Sequence, residues 1–249
     1  MKNVNKIRMR ETIVSYCFLA PVLIFFVVFV LVPMIMGFVT SFFNYTMIDF
    51  TFVGIDNYVR MFNDEVFRKS LVNTLIIVIG SVPVVVIFSL FVASQTYERS
   101  MFTRSFFRCV FFLPVVTGSV AVTVVWKWIY DPLSGILNYI LKAGHVIDQN
   151  ISWLGDSRYA LWAIIIILLT TSIGQPIILY IAALGNVDKS LVEAARVDGA
   201  TEFNVFWKIK WSSLLPTTLY IVVITTINSF QCFALIQLLT SGGPNYSTS

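Results

Sequence analysis

Five stretches of the chain carry no charged side chain: residues 12–48, 71–97, 109–126, 159–187 and 211–249. Each is as long as, or close to, the roughly 20 residues a helix needs to cross about 30 Å of hydrocarbon. A charge at the centre of such a helix costs about 2.5–3.5 kcal/mol on insertion scales, so its exclusion from all five is what lipid exposure demands. Aliphatic, aromatic and Cys residues make up 57% of the chain and charged residues 12%, which puts it with membrane proteins rather than soluble domains. The expected fold is all-α, a polytopic membrane bundle in a single domain over 1–249. Five transmembrane helices are expected, at about 13–38, 71–94, 106–128, 159–184 and 214–239. Pro21 and Pro33 should bend or bound the first, and Gly80 and Pro83 interrupt the second. Pro114 and Gly118 lie inside the third.

Lys2, Lys6, Arg8 and Arg10 precede the first run, as in a signal peptide, but that run exceeds the ~7–15 residues of a signal h-region and reads as a retained helix. Eleven of the 17 Lys and Arg fall on the N-terminus and on two loops, 95–108 and 188–211. That bias puts the N-terminus and both loops in the cytoplasm, with the chain in the cell membrane. The net charge of +4 therefore calls for no nucleic-acid partner. Cys17, Cys109 and Cys232 lie in or beside apolar runs and pack as small hydrophobes. His145, the single histidine, has no Cys near it, so no metal site is expected.

Residues 188–213 break the apolar pattern. Ser190-Leu191-Val192-Glu193 has the capping-box form, so a short helix should start at Ser190. Asp198-Gly199 should end it, since Gly takes the left-handed conformation without a Cβ penalty. Thr201-Glu202 reads as a second N-cap, opening a helix through Phe203, Phe206 and Ile209. Polar groups also cluster inside two spans. Thr170–Pro176 includes Gln175, while Thr225, Asn228 and Cys232 share one helical face, with Ser229 beside them. Polar side chains at that depth are costly unless paired or facing a cavity, so these five are expected along a solute path. No G-x-x-x-x-G-K-[ST], G-x-S-x-G or H-E-x-x-H occurs, and no catalytic residues are expected.

Glu193-Ala194-Ala195-Arg196-Val197-Asp198-Gly199-Ala200, with Phe206, Ile209 and Pro216 in register, resembles the EAA loop of the permease subunits of ABC importers. Phe52-Val53-Gly54-Ile55-Asp56-Asn57-Tyr58, Gly135-Ile136-Leu137-Asn138, Trp153-Leu154 and Gly242-Gly243-Pro244 resemble further segments of the maltose-type sugar permeases. The loop departs from the family pattern at Asp188 and Ser212, where Pro is usual.

The resemblance implies alternating access by two permease subunits. Two cytosolic ATPase subunits would bind the ATP and Mg, and an extracytoplasmic solute-binding protein would deliver a sugar. Glu193, Ala194, Ala195, Asp198 and Gly199 would form the ATPase-coupling surface of a cytoplasmic loop at 188–213. It also implies a sixth span, so the chain is expected to be a truncated form of a longer permease. A permease for polyamines or another polar solute is the alternative within transport. A membrane sensor or scaffold using the loop to bind a soluble partner is the alternative from another class.

Overall fold

The computed structural model describes residues 2–46 and 50–248, in two compact units, 1–67 and 68–249. The ends of two uncharged runs, Ile48 and Ser249, lie outside the described residues.

The first unit opens with α1 (Lys2–Phe26), which passes through a π-helical turn, Val27–Leu31, into α2 (Val32–Thr40). Pro33 has no N–H to give Phe29. The ladder takes up the loss just before it, where the Val32 N–H reaches back five residues to the Val27 carbonyl. The helix therefore continues through both prolines. Its span, Glu11–Thr40, is strongly apolar, a surface suited to lipid or to a protein partner.

A short antiparallel hairpin follows, β1 (Phe43–Tyr45) with β2 (Phe50–Phe52), pairing Phe43 with Phe52 and Tyr45 with Phe50. The chain is mostly helical, as expected, and this hairpin is the one sheet among the described residues. Gly54 at φ +59° turns the chain out of β2 into α3 (Asp56–Asn63). The Asn57 amide then donates to the carbonyls of Ser41 and Phe43, 2.9 Å each, which locks the aromatic segment onto the hairpin.

The second unit is helical. It holds α4 (Glu65–Tyr97, from Arg68 onward), α5 (Met101–Val116), α6 (Ser119–Ile129), α7 (Ile136–Ala143), α8 (Ala160–Ser172) and α9 (Gly174–Gly185). These are followed by α10 (Lys189–Val197), α11 (Glu202–Val205), α12 (Trp211–Phe230) and α13 (Phe233–Leu239). Contrary to expectation, α4 runs unbroken through Gly80 and Pro83. Gly80 serves packing instead: a Cβ there would stand 3.2 Å from the Ile165 side chain of α8.

The third span is not one rod. Between α5 and α6 the chain turns by 100°, because Thr117 and Gly118 are both extended. The fourth bends by 42° between α8 and α9, inside the polar cluster. Gly174 is required there. A Cβ would fall 2.2 Å from the Phe111 carbonyl of α5, so only glycine permits this approach of α9. The fifth stops short of its expected end: the continuous helix over Glu202–Phe230 ends before residues 233–239, which form the separate α13. Among the described residues, three helices are thus long and apolar enough to cross a membrane, or up to five if each bent pair is one span.

Three clusters hold this unit together. Val92 and Ala93 of α4 pack with Ile177, Tyr180, Ile181 and Leu184 of α9 and with Leu214 and Ile221 of α12. Val122 of α6, Ile164 and Ile167 of α8 and Leu235 and Leu239 of α13 form the second, and Ile77 of α4 joins Leu161, Ile165 and Leu168 of α8 in the third. Lipid offers little hydrophobic drive for helices to associate, so small residues and hydrogen bonds carry much of the specificity. The Tyr180 hydroxyl donates to Thr218 at 3.1 Å, and the Ser89 hydroxyl donates to the Ile173 carbonyl at the bend, at 3.3 Å.

Candidate docking loop and solute crevice

The docking loop opens at Asp188 as expected, but its helix starts two residues earlier than the capping-box reading gave. Asp188, not Ser190, caps α10: its carboxylate accepts from the Ser190 N–H at 2.8 Å. Hydrogen bonds from Ser190 hold the Asp188 carboxyl below its ordinary pKa. At the other end the Ala200 N–H bonds to the Ala195 carbonyl (2.9 Å) and the Gly199 N–H to Arg196 (3.1 Å), with Gly199 at φ +79°. Those two bonds are the Schellman pair, so Gly199 stops the helix as expected. The Thr201 hydroxyl accepts from the Asn204 N–H, the second cap. From Glu202 the chain stays helical through a π turn at Phe206–Lys210 and on through α12.

Two ion pairs brace the turn. Arg196 Nε lies 2.7 Å from Glu202 Oε1 across Gly199, which holds the Glu202 carboxyl below its ordinary pKa. Lys210 Nζ lies 3.0 Å from Glu98 Oε1, joining the end of α4 to the helix that leaves the loop. Neither pair was foreseen, because partners 6 and 112 residues apart leave no periodic signal. Val192 and Val205 are the buried anchors of the loop. Glu193, Ala194, Asp198 and Gly199 are exposed and Ala195 half-buried, while Leu191 and Val197 stand 57% and 88% exposed beside them. Exposed apolar side chains and two carboxylates, Glu193 and Asp198, are thus presented outward.

The five expected path residues divide. Gln175, Thr225 and Asn228 meet with Ser172, Pro176 and Tyr220 around a narrow crevice of about 20 Å³ between α9 and α12. Ser229 faces elsewhere: it is 1% exposed, and its hydroxyl lies 3.0 Å from that of Ser81 on α4. Cys232 does not continue the face of Thr225 and Asn228, because α12 ends at Phe230. It caps α13 instead and packs against the cluster of Ile77 and Leu161.

One organising residue was passed over as mere motif. Asn138 of α7 is 2% exposed; its amide donates to the carbonyls of Pro132 (3.2 Å) and Ile151 (2.9 Å). Its oxygen accepts from the Ile151 N–H (3.4 Å) and Trp153 Nε1 (2.9 Å). It ties the Gly135–Asn138 and Trp153-Leu154 segments into one loop. A Cβ on Gly135 would fall 2.2 Å from the Asp131 carbonyl, so that glycine is required as well. A buried Asn so close to Gly was the available signal.

Compared with known proteins, the chain matches the family described as "Binding-protein-dependent transport system inner membrane component" over residues 58–248. It is 33% identical over 238 residues to the "Probable ABC transporter permease protein YurN" of Bacillus subtilis (strain 168), covering 94% of this chain and 81% of that one. It is also 33% identical to the "Lactose transport system permease protein LacF" of Rhizobium radiobacter, covering 94% and 79%. In fold it is similar to a chain of a bacterial alginate ABC transporter solved in complex with an alginate pentasaccharide-bound periplasmic protein. There the TM-score is 0.79 at 24% identity, over 97% of this chain and 82% or less of that one, 81% in the complex.

Proposed function

The chain belongs to the family of binding-protein-dependent transport system inner membrane components, and from that premise we propose that it is a sugar-importing permease subunit of an ABC transporter. Sugar is favoured by the likeness to LacF and by the amide- and hydroxyl-lined crevice of Gln175, Thr225, Asn228 and Ser172, groups that pair with solute hydroxyls in both directions. The observation that carries the reading is the capped, outward-facing helix α10, ended at Gly199 and fused through Glu202 to the long helix that lines the crevice.

In this reading both units act as one permease domain, crossing the cell membrane five times with the N-terminus and residues 188–213 in the cytoplasm. Glu193, Ala194, Ala195, Asp198 and Gly199 form the surface that enters one of two cytosolic ATPase subunits, which bind ATP and Mg. Glu193 supplies an anion for a basic group, and the small side chains of Ala194 and Ala195 let the partner approach closely. A push on α10 reaches α12 through the Gly199 turn, closed by Arg196 and Glu202, and reaches α4 through Lys210 and Glu98. Helices α9 and α12, which flank the crevice, then move relative to one another. A second permease subunit completes the path, and an extracytoplasmic binding protein delivers the sugar.

The test is ATP hydrolysis by the chain alone and by the complex it forms. The chain alone should hydrolyse none, and the complex should hydrolyse ATP faster when the sugar-loaded binding protein is added. Turnover by the contaminant-free chain, or no response of the complex to the loaded binding protein, would overturn the reading.

A further inference from the structure

Between the end of α4 and the first half of α5 lies a cavity of about 470 Å³, within the ~300–1,000 Å³ typical of small-molecule sites. Its wall changes character along its length. Phe91, Val92, Phe107 and Phe111 form an apolar stretch, and Gln95, Thr96, Arg99 and Thr103 form a polar mouth where α4 ends. No carboxylate lines it. Glu98, the one acid of residues 95–108, is engaged by Lys210 at 3.0 Å.

Two further arginines, Arg104 and Arg108, stand on α5 but do not line the cavity. Arg104 donates to the Tyr97 carbonyl and lies 5.2 Å over the Tyr97 ring, yet its Nε is shielded and unpartnered. Arg108, one turn on, likewise has a shielded Nε without a hydrogen-bond partner. The Arg99 side chain is exposed, with no partner among the described residues.

We propose that this cavity is a binding site for an anionic phospholipid, the acyl chains against Phe91, Phe107 and Phe111 and the phosphate at Arg99. The proposal rests on the reading that α4 and α5 lie in the membrane with the 95–108 turn at its cytoplasmic face. Charge complementarity selects the occupant. A neutral helix from another subunit would fill the apolar stretch and leave the Arg99 guanidinium without an anion, whereas a lipid phosphate pairs with it while its chains continue into the bilayer. An amphipathic slot at the depth where an apolar helix ends has that shape.

The site is tested by native mass spectrometry of the complex containing the full chain, released from bilayers of equal parts phosphatidylglycerol and phosphatidylcholine. The wild type should retain phosphatidylglycerol in several-fold excess. Arg99→Gln should bring the two near parity, and Phe107→Ala should lower retention of both. Lys127→Gln, on α6, should change neither. Should Arg99→Gln fail to assemble, Gln95→Ala gives the same reading with a smaller loss. Equal retention by the wild type, or a preference unmoved by Arg99→Gln and Gln95→Ala, overturns the site. If the complex imports sugar without lipid preference, the lipid site alone falls. If preference persists without ATP-driven import, the transport reading falls and the site stands.

Discussion

The hydroxyls of Ser81 and Ser229, 148 residues apart in sequence, lie 3.0 Å from each other where α4 meets α12, both fully enclosed by protein. This places Ser229 in the contact between two long helices, away from the crevice of Gln175 and Asn228. Ser229→Ala should cost about 1 kcal/mol or less of thermal stability, the usual scale for such bonds between membrane helices. Ser81→Ala should add little once Ser229 is gone. Transport KM should stay unchanged in both variants. A changed KM at full stability would return Ser229 to the path.

The crevice residues should behave in the opposite way. Gln175→Ala and Asn228→Ala are expected to shift uptake KM or sugar selectivity several-fold with little change in stability, because each removes a crevice-lining amide from an exposed position. Val223→Ala, on the same helix but outside the crevice, should leave both unaltered. Uptake kinetics across a panel of disaccharides check this. Identical profiles for all three variants would remove Gln175 and Asn228 from the path.

Gly174 and Gly199 are both glycines by necessity, for different physical reasons. Gly174→Ala forces a methyl group against the Phe111 carbonyl and should destabilise the contact of α5 with α9 by about 1–3 kcal/mol, seen as a lower Tm of the complex. Gly199→Leu meets open space but must hold φ +79°, which costs roughly 1–2 kcal/mol for a side chain with a Cβ. The complex should stay folded and lose coupling between ATP hydrolysis and uptake. A Gly199→Leu complex that imports at the wild-type ratio of sugar to ATP would remove the turn from the mechanism.

The loop should also loosen in acid. The carboxyls of Asp188 and Glu202 are both held below their ordinary values, the first by Ser190 and the second by Arg196. Groups depressed in the folded state stabilise it above their unfolded pKa, about 4, and lose that contribution as pH falls through the folded value. Protection of the α10 amides, corrected for intrinsic exchange, should therefore hold from neutral pH down to about 4 and decline below it. Asp188→Ala should be weakly protected already at neutral pH, with a flatter profile.

Much of this was legible because membranes impose coarse rules. Charge exclusion located the apolar segments, Thr201 capped a helix with its hydroxyl, and Gly199 ended one at positive φ because it carries no Cβ. The misreadings came where tertiary packing overrides local preference. Pro83 and Gly80 looked like interruptions, yet α4 continues, since a lipid-embedded helix keeps its ladder and uses the glycine to receive Ile165. Helical periodicity put Cys232 beside Asn228. The end of α12 at Phe230, invisible in an uncharged sequence, turned it away. Asp188 and Ser190 were both competent caps, and the order of two such residues does not say which is used.

The most direct test is uptake of the radiolabelled sugar that the binding protein retains, into vesicles reconstituted with this chain, its partner subunits and the loaded binding protein. Accumulation should require internal ATP in the wild type and be lost in Glu193→Ala, while the isolated ATPase subunits remain active. Accumulation without ATP, or ATP-driven uptake undiminished in Glu193→Ala, would contradict a permease coupled to its motor through α10.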